Sequence, residues 1–467
     1  MRKTSQNYVK LIRKTSQNGG ETLILQRLAE KRLEAWHNNP QHRALLIDGA
    51  RQVGKTYLVR QFAKSHYDVF LEINFIETPS AKAVFEGDLN ADILIANLSV
   101  YSNKPFVPGK TLIFLDEIQE CPRARTAIKF LVDDGRFDYI ESGSLLGVSY
   151  KEVPSYPVGY EEHLTMYPLT LQEFYWANGI QQSVIDEASD AFEESRPVIN
   201  VFHQRLMSLF SYYMVVGGMP AAVSAFVETN DLNTVGNVQR DILSLYRQDI
   251  AKYADTSVGR MHIKSIFDAV PSQLNKKNKR FVLADLSKTA RMERYASDFM
   301  WLADAGVVLP CRNVSEPVYP LKLNEKHSLM KVFLCDVGLL GAASAGSTAL
   351  EIMQGNVGVN WGSSLENFVA QELTANGFEL FYFDKAKIGE VDFLMQRGGN
   401  IVPIEAKSGK DFTVHAALDK LLAVKEWKLG SGFVLCNSNV EHEKKNDAVI
   451  DLPWYMTMFM KPQGLSK

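Results

Sequence analysis

Residues Gly49-Ala50-Arg51-Gln52-Val53-Gly54-Lys55-Thr56 spell a complete G-x-x-x-x-G-K-[ST] loop directly after the apolar run Leu45-Leu46-Ile47. Glycine at both ends lets the backbone curl until successive N–H groups face inward as an anion nest. A helix beginning near Lys55 would add the positive end of its dipole. In such a loop Lys55 neutralises the β- and γ-phosphates of a nucleoside triphosphate, and Thr56 offers its hydroxyl to Mg²⁺. Downstream, Thr111-Leu112-Ile113-Phe114-Leu115-Asp116-Glu117 is an apolar strand ending in two carboxylates. It reads as a Walker B strand, with Asp116 holding Mg²⁺ and Glu117 polarising the water that attacks the γ-phosphate. A third apolar run, Phe137 to Ile140, leads into Glu141-Ser142-Gly143-Ser144. There Ser142 or Ser144 either senses the γ-phosphate or belongs to an ordinary polar turn.

A second constellation lies near the C-terminus. Trp361 to Ala375 has the pattern of a helix carrying Glu366. Glu390-Val391-Asp392-Phe393-Leu394 begins a strand, Arg397-Gly398-Gly399-Asn400 is a hairpin turn, and Ile401 to Lys407 is the returning strand. Asp392 and Glu405 then fall at neighbouring strand positions, and Glu405 and Lys407 face one side. Two carboxylates and a lysine converging this way would hold Mg²⁺ and activate water against a phosphodiester, with Glu366 completing the metal shell or supporting it. The alternative from spacing alone is a polar edge with its charges in water.

These groups need sheets to position them. Strands expected at Ala44 to Asp48, Val69 to Asn74, Thr111 to Leu115 and Phe137 to Ile140, with a helix at Tyr57 to Lys64, make an α/β fold with a doubly wound parallel sheet. A strand, a turn and a capped helix over 162–177 close this part. A helical section follows to about Tyr253. In the next segment three helices, the basic cluster Lys276-Lys277-Asn278-Lys279-Arg280 and two apolar segments read as a winged helix. Lys288, Arg291 and Arg294 lie near the helix that would enter a DNA groove.

The chain of 467 residues is too long for one core. Its hydrophobic content of 46% and charged content of 22% are those of a globular protein, and a net charge of -3 confines any nucleic-acid contact to a local patch. Cys121, Cys311, Cys335 and Cys436 are widely spaced, which implies neither a zinc site nor a disulfide framework and favours a reducing compartment. Leu206 to Val227 carries no charge, but Gly217-Gly218-Met219-Pro220 interrupts it, so a broken buried helix is expected rather than a membrane span. With no secretory pattern at the N-terminus, a cytoplasmic location is expected. Residues 1–20 are basic and repeat Arg-Lys-Thr-Ser-Gln-Asn at 2–7 and 13–18. They read as a disordered extension, with a nucleic-acid arm as the other reading.

Taken together, the loop at 49–56, Leu115-Asp116-Glu117, Tyr167-Pro168-Leu169-Thr170, Gly217-Gly218-Met219-Pro220, Glu390-Val391-Asp392 and Glu405-Ala406-Lys407 resemble prokaryotic AAA-type ATPases. Those proteins carry a winged helix and a C-terminal domain of unknown function related to restriction nucleases. The resemblance implies a P-loop ATPase domain at 21–177, a helical lid or linker at 178–255, a winged helix at 256–340 and a PD-(D/E)XK nuclease-like domain at 345–460. It further implies ATP as nucleotide, an adenine contact for Pro220, and a nuclease-like site at Glu366, Asp392, Glu405 and Lys407. One departure stands out. Many relatives place a basic residue after the Pro-Val-Gly segment, where this chain has Pro157-Val158-Gly159-Tyr160. Arg123, Arg125 and Arg136 are the candidate replacements for an arginine finger. The leading expectation is an Mg²⁺-dependent ATPase whose nucleotide state repositions the winged helix and nuclease-like domain on DNA. Its rival is a signalling switch whose C-terminal domain only binds a partner. Partners are then ATP and candidate DNA, with no membrane and with oligomeric state open.

Overall fold

The computed structural model describes residues 14–17, 20–144, 156–253, 257–288, 290–345, 361–409, 412–440 and 448–462. It divides into two compact units. One comprises Gln26–Tyr167 with Asp304–Gly306, and the other comprises the remaining chain.

In the second of these, β1 (Lys14–Gln17) pairs antiparallel with β2 (Gly20–Leu23), with Thr15 opposite Thr22. Part of the expected structureless extension is therefore strand. The first copy of the basic repeat lies outside the described residues.

The Gln26–Tyr167 unit is built on β3 (Ala44–Asp48), β4 (Val69–Asn74), β5 (Thr111–Asp116), β6 (Asp138–Ser142) and β7 (Glu161–Thr165), in the order β4-β5-β6-β3-β7. Every pair is parallel. Leu112, Ile113, Phe114 and Leu115 are buried on both faces, which is why this run is continuous rather than alternating. Helices Lys55–His66, Ala91–Ser102 and Pro122–Asp134 connect the strands. Ile113, Leu115, Leu94, Leu98, Ile128 and Leu131 belong to the resulting core. Register sets the strand ends side by side, because Ser142 is opposite both Ile47 and Asp116, and Asn74 is opposite Asp116.

This unit ends at Tyr167. Helix Leu171–Ala177, with its Thr170–Glu173 capping box, lies instead with the helical section, where Phe174 packs on Tyr213 and Phe226 and the Tyr175 hydroxyl donates to Leu206 O at 2.9 Å. The long uncharged run is split into helices Asn200–Val216 and Pro220–Thr229. Among the described residues no helix is long and apolar enough to cross a membrane. The Gly217-Gly218 break has a steric cause. A Cβ on Gly217 would come within 2.2 Å of Asp336 Oδ1, and one on Gly218 within 2.0 Å of Leu169 O. Asp336 accepts from Gly218 N at 2.6 Å and from Leu339 N at 2.9 Å, which also caps helix Val337–Ala345. Pro220 occupies the first turn of its helix, where its missing N–H costs nothing.

The second sheet has seven strands: β8 (Val308–Val314), β9 (Glu325–Leu334), β10 (Phe381–Lys385), β11 (Gly389–Arg397), β12 (Asn400–Ala406), β13 (Gly432–Cys436) and β14 (Val449–Pro453). Their order is β14-β13-β12-β11-β10-β8-β9. The sheet is mixed, and β11 and β12 form the expected hairpin across Gly398-Gly399. β8 and β9, the strands expected to form a wing, are part of this sheet, with Phe381 opposite Arg312 across the β10–β8 pairing. Burial explains why: Met330 to Leu334 are buried at every position, unlike an exposed wing.

Helix Trp361–Ala375 packs beside this sheet and carries a buried Glu372 that accepts from Leu171 N at 2.8 Å. Burial pushes its carboxyl up to about 7. The folded chain therefore holds this proton more tightly than the unfolded one, and stability from this group is gained as pH falls from about 7 to the ordinary glutamate value. Glu372→Gln is expected to raise the melting temperature at pH 8 by about 2–4 °C, with little change at pH 5. An equal shift in thermal melts at both pH values would contradict this.

Candidate functional site

At the carboxyl end of β3 the chain turns through Gly49, whose φ of 126° only glycine adopts comfortably and whose Cβ would come within 2.1 Å of Met166 O. Ala50, Arg51, Gln52 and Val53 complete the loop, and Gly54, also left-handed, starts helix Lys55–His66. Arg27 braces it from behind, donating to Val53 O and Tyr167 O at 2.7 Å each. Lys55 is buried and donates to Gly49 O at 2.8 Å, Ala50 O at 2.9 Å and Ser144 Oγ at 3.4 Å. Burial lowers its ammonium to about 8, opposed by Glu117, Asp116 and Asp48.

Four polar groups converge on Asp116. Thr56 Oγ1 donates to Oδ2 at 2.9 Å and Asn74 Nδ2 to the same oxygen at 3.1 Å. Ser142 Oγ and the Glu117 N–H both donate to Oδ1. Glu117 itself has a left-handed φ of 54°, and its Oε2 accepts from Gln119 Nε2 at 2.6 Å. The structure thus brings Lys55, Thr56, Asp116, Glu117 and Ser142 to one strand end, and it adds Arg27, Asn74 and Gln119. A hydroxyl and a carboxylate as nearest neighbours are hard oxygen donors suited to Mg²⁺.

The three candidate finger arginines are engaged within their own unit. Arg125 is buried against Glu161 at 3.2 Å, Arg123 donates to the carbonyls of Phe85 and Gly87, and Arg136 pairs with Asp134 and Asp92. Pro220 belongs to the other unit.

The C-terminal constellation is arranged differently from expectation. Glu366, Glu390 and Asp392 come together, each offering an oxygen within 4.8 Å of the others. Glu405 is not one of the three. Its Oε1 accepts from Lys407 Nζ at 2.8 Å, while Asp392 Oδ2 accepts from Ala406 N at 2.9 Å. Among the three acids sits Lys331 of β9, whose Nζ is 2.5 Å from Glu390 Oε1, 3.2 Å from Glu366 Oε2 and 3.8 Å from Asp392 Oδ1. Lys279 pairs with the other oxygen of Glu366. Burial alone would lower Lys331, but Glu366, Asp392 and Glu390 outweigh it and hold the ammonium charged. Burial and the charges of Glu366 and Glu405 push Asp392 upward.

Sequence reading missed Glu390, although it stands two residues from Asp392 on the same strand face. It also missed Lys331, for which β9 gave no local signal.

Residues 41–175 match the family model of an AAA domain, and residues 207–350 and 361–455 match two domains of unknown function, DUF8612 and DUF4143. No curated relative matches the chain. Among solved structures, the Walker-type ATPase of Pyrococcus abyssi is similar at 15% identity, covering 68% of this chain and 96% of its own, with a TM-score of 0.39. The Aeropyrum pernix ORC1 protein, solved in complex with DNA, is similar at 14% identity, covering 71% and 95%, with a TM-score of 0.26. At these scores neither likeness bears on function. The parallel five-stranded sheet, the phosphate loop and the matched family model make residues 41–175 an AAA-type P-loop domain.

Proposed function

We propose that the chain binds and hydrolyses ATP with Mg²⁺ and acts as a nucleotide-controlled switch. The observation carrying this reading is the convergence of Thr56 and Ser142 on Asp116 beside the buried Lys55 ammonium. Thr56 and Asp116 are the residues that would hold Mg²⁺, which when bound neutralises charge on the β- and γ-phosphate oxygens. Lys55 exchanges the carbonyls of Gly49 and Ala50 for phosphate oxygens, and loop N–H groups take the remainder. Glu117, held by Gln119, orients and deprotonates the attacking water. Ser142 passes the state of the γ-phosphate to Asp116. Arg123, Arg125 and Arg136 are engaged elsewhere, and without a finger's contribution of about 10³ to 10⁵ in rate, turnover is slow, which suits a switch better than a motor.

For the rest of the chain we favour a partner-binding role over strand cleavage, since Lys331 stands among the acids that would hold a catalytic metal. DNA as that partner is supported by the exposed side chains of Lys277, Arg280, Lys288, Arg291 and Arg294. Lys276 and Lys279 of the same basic cluster are already paired with Asp285 and Glu366. Incubating purified protein with labelled ATP and with linear, circular and single-stranded DNA tests the whole reading. Phosphate release that requires Mg²⁺, with DNA bound in a salt-sensitive way and left uncut, is the expected result. Mg²⁺-dependent cleavage would overturn the partner role, and absence of phosphate release would overturn the ATPase.

A further inference from the structure

We infer that Lys331 is a built-in cation that closes the C-terminal acid cluster to divalent metal, so this sheet works as a metal-free, charge-locked module. The inference does not depend on the ATPase reading. Lys331 Nζ stands 2.5 Å from Glu390, 3.2 Å from Glu366 and 3.8 Å from Asp392, and its side chain is fully buried. A divalent cation held by these acids needs oxygen contacts of about 2.0–2.6 Å, which places it where the ammonium already is.

Charge count points the same way. Even with all three acids ionised, Glu366, Glu390 and Asp392 facing the ammoniums of Lys331 and Lys279 leave a single negative charge. A dication added to that set would make it positive, beside the fully buried Lys331 ammonium. Two of the three remaining oxygens are also engaged. Asp392 Oδ2 accepts from Ala406 N, and Glu366 Oε1 accepts from Lys279. The Tyr382 ring lies 5.1 Å from the ammonium and closes another side.

The lysines come from elements remote in sequence from the acids, Lys331 from β9 and Lys279 from the segment after helix Ser257–Leu274. The cluster therefore ties that segment and β9 to helix Trp361–Ala375 and β11. Removing the ammonium while keeping its volume would leave three acids and one lysine, a set whose charge a dication balances.

The test is Mn²⁺ binding to the nucleotide-free full chain, counted by electron paramagnetic resonance, for wild type, Asp392→Asn and Lys331→Met. Wild type and Asp392→Asn are expected to bind the same amount, since any Mn²⁺ at the phosphate loop is common to both. Lys331→Met is expected to gain about one further equivalent. Less Mn²⁺ on Asp392→Asn than on wild type would overturn the inference, because the acids would then hold metal despite the lysine. So would a Lys331→Met protein that gains none. Should Lys331→Met fail to fold, the comparison of wild type with Asp392→Asn decides alone.

Discussion

Lys55→Ala is expected to weaken ATP binding by roughly 10²-fold, because truncating one partner of a buried charge pair costs about 3 kcal/mol. The ammonium is buried and already pointed at the loop, donating to Gly49 O and Ala50 O. Little reorganisation is then needed to meet phosphate. Displacement of a fluorescent ATP analogue measures the change. Affinity within threefold of wild type would mean that this lysine is a packing group only.

The second large effect belongs to Glu117→Gln. The exchange keeps size and an oxygen able to accept from Gln119, but it removes the base, so hydrolysis should fall by about 10² to 10⁴ while ATP affinity stays near wild type. Single-turnover release of labelled phosphate separates the two quantities. Unchanged hydrolysis would move the base elsewhere. A parallel loss of binding would indicate that Glu117 supports the loop rather than the reaction.

What could be read from the sequence was what is encoded locally. The glycine-lysine loop, the Leu112 to Leu115 run and the Asp116-Glu117 pair each sit within a few residues, and strand continuity alone predicts that the polar groups emerge at strand ends. The helix break at Gly217-Gly218 was legible for the same reason, although its cause, the approach of Asp336 and Leu169 O, was not. Arg27 lies 26 residues before the carbonyl of Val53 that it holds, and nothing in its own neighbourhood predicts that bond. Arg125 was one of three candidate finger arginines, and nothing in its own neighbourhood predicts its burial against Glu161.

The acid cluster shows where local reasoning ends. Glu366 and Asp392 were recognisable as a pair of carboxylates on a helix and a strand. The partner that changes their chemistry, Lys331, arrives by the pairing of β9 with β8 and of β8 with β10. Reading β8 and β9 as a separate wing placed that lysine in another domain. A sheet joined across a domain boundary is a long-range fact, set by which apolar strand faces find each other, and no single-strand pattern records it.

The account rests on the Gly49 to Thr56 loop taking a nucleoside triphosphate. Isothermal calorimetry of ATP into the full-length, nucleotide-free protein in Mg²⁺ buffer tests that most directly. Saturable heat from a single class of sites, with affinity lowered by roughly 10²-fold in Lys55→Ala, is the predicted result. A flat titration of folded protein, or binding that survives Lys55→Ala unchanged, would contradict it.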